Sequence, residues 1–261
     1  MAPTASITPT ASEAAPDIDG YEQFPFPHGG KTYPVYRRGN GPGVCVMHEL
    51  PGMTEECLDF GRRLADAGFT VYLPLLFGEP GKSAAGRNFL RICVRREWNL
   101  LGAGRSSAVT AVLRGLTAHI RDETGHPRVG AIGMCLTGGF ALVLMLDPWV
   151  TAPVVSQPSL PLVLPGQGWK KAALDIAPED LERVRGRLSQ DLNVLGLRFA
   201  QDRVSPAERA ETLRRELGPC FRDVVVEGDR HAVLTLHFQD IPEPRRSQIW
   251  AELVGFLQRQ L

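Results

Sequence analysis

Residues 130–140 read Gly-Ala-Ile-Gly-Met-Cys-Leu-Thr-Gly-Gly-Phe, an apolar strand running without a spacer into a cysteine and then into glycines that open an apolar helix. A strand apolar at every position is buried on both faces, which places it centrally in a sheet covered on two sides. At Gly133-Met134-Cys135-Leu136-Thr137-Gly138-Gly139 the chain must turn so sharply that the neighbours of the cysteine have to be small. A packed structural cysteine needs no flanking glycines, whereas a nucleophile held out at a strand end does. Thr137 stands where the pattern has its second glycine, so this turn has to accommodate a β-branched side chain.

The same strand-to-helix alternation extends along the chain. Residues 21–39 read as a polar hairpin turning at His28-Gly29-Gly30. Apolar runs at 43–50, 69–77, 128–135, 151–157, 193–202 and 221–229 read as strands. Helical spacing marks 54–67, a stretch around 106–122, 137–146, 178–188 (opened by Pro178), and a terminal helix with Ile249, Leu253, Phe256 and Leu257 on one face. Ser205-Pro206-Ala207-Glu208 reads as an N-cap, a proline at the first helical position and a capping-box glutamate. Such alternation implies an α/β fold with a mostly parallel sheet and helices on both faces. The expected organisation is a flexible leader at 1–20 and a single domain at 21–261, with a lid insertion at about 158–190, where the connection is unusually long.

Composition excludes several classes. Lys+Arg and Asp+Glu number 29 each, so there is no basic footprint for nucleic acid. No apolar stretch approaches the roughly 18 residues needed to cross a bilayer. The first residues lack the basic and apolar regions of a secretory signal, and five scattered cysteines without a CxxC pair suit neither a disulfide framework nor a zinc site. A cytoplasmic protein is expected, monomeric or homodimeric, without cofactor or metal.

In open α/β sheets chemistry gathers at the carboxyl ends of strands. Four reactive residues stand where an apolar run stops: Glu49, Cys135, Asp202 and His231. Cys135 is the candidate nucleophile, and the N–H of Leu136 would face a developing oxyanion, as would that of Leu50 after the first central strand. His231, directly after the last strand, is favoured as base over His237, which lies six residues on inside an apolar run. Asp202 would fix the imidazole tautomer. A carboxylate at Glu49 facing Cys135 opposes a resting thiolate, which suggests a thiol kept protonated until substrate displaces the carboxylate. His48 reads as a packed histidine.

The sequence resembles the dienelactone hydrolase family, a cysteine branch of the α/β-hydrolases, over roughly residues 21–260. The resemblance rests on the Gly-x-Cys-Leu-x-Gly-Gly turn at 133–139, on His48-Glu49-Leu50-Pro51-Gly52, on Asp202-Arg203-Val204-Ser205-Pro206, and on His231. The order nucleophile, acid, histidine is also that of α/β-hydrolases. The resemblance implies an α/β-hydrolase fold and hydrolysis of an enol-lactone or small ester through a cysteine thioester. It assigns Cys135 as nucleophile, His231 as base, Asp202 as its orienter, Glu49 as the control on thiol ionisation, and Leu50 and Leu136 as oxyanion donors. Members acting on dienelactone bind the substrate carboxylate with arginines, one of them shortly after the catalytic histidine. Here that stretch is Ala232-Val233-Leu234-Thr235, so Arg87, Arg91, Arg95 and Arg96 are the substitutes to consider. A general carboxylesterase or thioesterase is the alternative within enzymes, and a thiol redox protein the alternative outside hydrolysis.

Overall fold

Strand β3 (Gly43–Met47) is buried at all five positions, yet its side chains still divide by parity. Cys45 and Met47 join one apolar core, Val44 and Val46 the other. This is the period-two alternation of a strand between two layers rather than between core and solvent. The computed structural model describes residues 18–86, 108–189 and 191–261. Most of the leader, and the stretch that holds Arg87, Arg91, Cys93, Arg95 and Arg96, lie outside the described residues.

Eight strands form one sheet: β1 (Glu22–His28), β2 (Lys31–Arg38), β3, β4 (Thr70–Pro74), β5 (Val129–Met134), β6 (Val150–Ser156), β7 (Val194–Phe199) and β8 (Phe221–Val226). Their spatial order is β1-β2-β4-β3-β5-β6-β7-β8. The hairpin β1–β2 and the β2–β4 pair are antiparallel, and every other pairing is parallel. The hairpin turns where expected, at Gly29-Gly30, both at positive φ (57° and 75°).

Helices α1 (Glu55–Asp66) and α6 (Arg245–Gln260) cover one face, contributing Leu58, Phe60 and Leu64 and the expected stripe of Ile249, Leu253, Phe256 and Leu257. On the other face lie α2 (Ala108–Thr124), α3 (Phe140–Leu144), α4 (Pro178–Arg187) and α5 (Ala207–Leu217). The mostly parallel sheet between two helical layers is the α/β-hydrolase architecture.

Three local expectations need correction. The helix expected over 137–146 is a 3₁₀ turn at Cys135–Thr137 followed by only five residues of α-helix, because the glycine pair at 138–139 separates the two. Ser205 is not the cap of α5, which starts at Ala207 with Pro206 before it. The Ser205 N–H is taken instead by the Asp202 carboxylate (3.0 Å). The cysteines other than Cys135 sit in apolar or helical stretches of the sequence and are expected to be packed; Cys45 and Cys57 are, but Cys220 is only partly buried, its thiol donating to the Ser189 carbonyl (3.4 Å).

Candidate active site

The turn after β5 forces Cys135 to φ +54°, a left-handed conformation rarely adopted by a non-glycine residue. Close approach explains its glycines. A Cβ on Gly133 would lie 2.2 Å from the Thr137 carbonyl oxygen, and one on Gly138 would lie 2.8 Å from Pro158 Cα. Thr137 is more than accommodated. Its hydroxyl accepts the Met134 N–H (2.9 Å) and donates to the Met47 carbonyl (3.0 Å), tying the turn to β3.

Beyond the last strand, His231 Nδ1 lies 2.7 Å from Asp202 Oδ2. Asp202 follows β7 and is itself fixed, its Oδ1 accepting the N–H groups of Val204 (2.8 Å) and Ser205 (3.0 Å). A carboxylate on Nδ1 selects the tautomer whose lone pair is on Nε2. That Nε2 is buried and has no hydrogen-bond partner among the described residues. Burial disfavours the imidazolium, but the hydrogen bond to Asp202 and the nearby Cys135 sulfur outweigh it, so the His231 pKa is raised.

Donor atoms of Glu49, Cys135 and His231 lie within 4.8 Å of one another, so three strand ends that are far apart in sequence meet at one point. Glu49 is 2% exposed. Its carboxylate accepts hydrogen bonds from the Thr235 hydroxyl and from Gln157 Nε2 (3.1 Å). Among the described residues no arginine pairs with it. Burial pushes its pKa up, against the opposing pull of His231, Thr235 and Gln157. Leu50 follows Glu49 and Leu136 follows Cys135, so each belongs to the same strand end as a member of the cluster.

His48 and His237 serve other ends. His48 Nε2 accepts the Leu76 N–H (3.0 Å), and burial lowers its pKa to about 4, so it is packed and neutral. His237 Nδ1 accepts the Ala232 N–H (3.0 Å), which fastens the loop that carries His231.

Sequence reasoning missed the segment after β6. Gln157, held at φ +30° and oriented by the Ser156 hydroxyl, supports Glu49. Ser159 Oγ lies 3.3 Å from Cys135 Sγ, and its N–H donates to the Cys135 carbonyl (2.9 Å). Gln157 was open to the strand-end rule that selected the other four, since it is the first residue past β6; Ser159 and Thr235 carried no such signal. The same segment hangs on Arg209 of α5, fully buried, which donates to the carbonyls of Pro158 (2.8 Å), Ala173 (2.9 Å), Pro161 (3.0 Å) and Lys170 (3.2 Å). Asp175 sits beside Arg209 at a void of about 10 Å³, at the lower limit for one water.

Residues 31–163, just over half of the chain, match the family model described as the Dienelactone hydrolase family. The chain belongs to the dienelactone hydrolase family. No match was found among curated proteins. Among solved structures, the chain is similar to a putative dienelactone hydrolase from Klebsiella pneumoniae, at TM-score 0.63 and 20% identity, covering 91% of this chain and 98% of that one. The dienelactone hydrolase from Anabaena variabilis gives TM-score 0.62 and 17% identity, covering 93% and 99%. A dienelactone hydrolase-like promiscuous phosphotriesterase from metagenomic libraries gives 0.61 and 16%, covering 92% and 98%. These structures share its fold, and as a dienelactone hydrolase family member the chain is a hydrolase. Thr235, four residues beyond His231, holds Glu49.

Proposed function

We propose that the protein hydrolyses an enol-lactone or small carboxylic ester through a thioester on Cys135. The supporting observation is the meeting of Cys135, His231 and Glu49 within 4.8 Å, with Asp202 orienting the imidazole. His231 Nε2 takes the thiol proton as sulfur attacks the acyl carbon, and the carbonyl electron pair moves onto oxygen, facing the N–H groups of Leu136 and Leu50. The pair returns, the C–O bond to the leaving oxygen breaks, and that oxygen takes the proton from His231. Water then attacks the thioester, giving its proton to Nε2, and the C–S bond breaks, the sulfur taking that proton from Nε2 to regenerate the thiol. Before substrate arrives, Glu49 opposes a free thiolate beside it.

The runner-up, a carboxylesterase or thioesterase without carboxylate recognition, is favoured by one observation. The stretch after His231 offers Thr235 rather than a cation, and Thr235 is already committed to Glu49. Mass spectrometry of the intact protein with muconolactone-type lactones and with aryl esters tests both. An acyl adduct on Cys135, lost in Cys135→Ala together with turnover, is expected, and the better substrate class separates the two readings. Turnover in Cys135→Ala within about threefold of the parent would remove the cysteine from the mechanism.

A further inference from the structure

The three groups that meet at the strand ends are a thiol, an imidazole and a carboxyl, which once deprotonated are a ligand set for zinc. We propose that Cys135, His231 and Glu49 also form a chelating site for a thiophilic divalent cation of the Zn²⁺ type, whose binding switches the hydrolase off. The regulatory half of this inference rests on the reading above; the binding half does not.

Geometry supports the site first. Zinc bonds of about 2.0–2.3 Å set tetrahedral ligands roughly 3.3–3.8 Å apart. Donors already within 4.8 Å of one another need to close by only about an ångström to reach that spacing. The three ligands come from three loops at one sheet edge, after β3, after β5 and after β8, so such closure bends loops and leaves the sheet intact.

The support around the ligands is also in place. A metal-binding histidine usually donates its other ring N–H to a carboxylate, and Asp202 holds His231 Nδ1 in this way at 2.7 Å. Gln157 and Thr235 orient the Glu49 carboxylate. The Ser159 hydroxyl, 3.3 Å from the sulfur, can donate to a thiolate. Unlike these, His231 Nε2 is a buried polar atom with nothing to bond among the described residues.

Charge completes the argument. One thiolate, one carboxylate and one neutral imidazole balance a divalent cation, leaving no net charge in a buried site. Binding breaks the S–H bond, and the N–H bond at Nε2 where the imidazole is protonated, and releases those protons to solvent, while the sulfur, Nε2 and carboxylate pairs become metal bonds. Those sulfur and nitrogen pairs are the ones hydrolysis needs, so the cation and turnover exclude one another. The side chain of His231 remains 20% exposed, which leaves an approach from solvent.

Titration of the metal-free protein with Co²⁺ tests the site by absorption. A thiolate-to-cobalt charge-transfer band with four-coordinate ligand-field bands is expected at one Co²⁺ per chain, displaced by Zn²⁺. The band should vanish in Cys135→Ser and persist in Cys220→Ser, which removes the partly exposed thiol among the described residues. Asp202→Asn, which leaves all three ligands, should weaken Co²⁺ binding by about 10–100-fold. In parallel, Zn²⁺ should abolish ester turnover and a chelator should restore it. No band in a folded parent, or a band that follows Cys220, overturns the site. A band without zinc inhibition of a Cys135-dependent turnover overturns the switch. A band in a protein with no ester or lactone turnover leaves the site standing and removes the reading of function instead.

Discussion

Glu49 at the end of β3 and Thr235 beyond His231 are joined by a hydrogen bond that spans 186 positions of sequence. With Gln157 it gives the buried carboxyl two donors that favour the anion, but burial outweighs them and its pKa is raised. Glu49 is therefore protonated at acidic pH and becomes an anion beside Cys135 only above the ordinary glutamate range. Iodoacetamide rates on Cys135, measured in a Cys220→Ser background, should coincide for parent and Glu49→Gln at acidic pH. They should separate as pH rises, with Glu49→Gln the faster. Profiles that superimpose throughout would make Glu49 a scaffold residue.

Asp202→Asn should keep the fold, because an amide oxygen still accepts the N–H groups of Val204 and Ser205. Its NH₂ would face Nδ1 and favour the wrong imidazole tautomer, so kcat should fall by on the order of 10⁴-fold. Thermal melts alongside steady-state kinetics check this; a large drop in Tm with little kinetic effect in the folded fraction would contradict it.

Thr137→Val removes the hydroxyl that bonds the buried Met134 N–H and Met47 carbonyl without changing side-chain shape. Denaturant unfolding should show a loss of about 1–3 kcal/mol, with Thr137→Ser recovering most of it. Equal stability of Thr137→Val and parent would show that the tie between turn and β3 contributes nothing.

Asp175 gives the protein a pH-dependent stability. Burial, only partly offset by Arg209, raises its pKa from 3.8 to about 8. Between those values the folded state keeps a proton that the unfolded chain releases, so rising pH favours unfolding. The penalty is absent below the lower value and complete above the higher, with a slope approaching about 1.4 kcal/mol per pH unit between them. Asp175→Asn lacks this slope. Urea unfolding across the window should show its advantage over the parent growing with pH; a constant difference would mean Asp175 ionises normally.

The sheet, its helical layers and the positions of Glu49, Cys135, Asp202 and His231 were legible because apolar runs and the glycines that end them are local signals. Gly133 and Gly138 carry information in their identity alone, since a neighbouring chain fills the space of a Cβ. Gln157 stood at a strand end and could have been picked by the same rule, but Ser159, Arg209 and Asp175 were not legible in their roles. Each is an ordinary polar residue whose partner is defined only when distant segments meet, as Arg209 meets Pro158. Ser205 misled for a related reason. Its motif suited a helix cap, but the Asp202 carboxylate took the N–H groups first.

Arg209 makes the chain from Pro158 to Ala173 and helix α5 a single mechanical part. Because Pro158 is wedged against Gly138 and Ser159 touches the sulfur, that part ends in contact with Cys135. Loosening the guanidinium would take a donor from four carbonyls at once and slacken the wall around Cys135 from a helix that does not bear it. Redesign of this wall thus has a remote handle: the seat of Cys135 can be shifted from α5 without altering any residue of the turn that bears it.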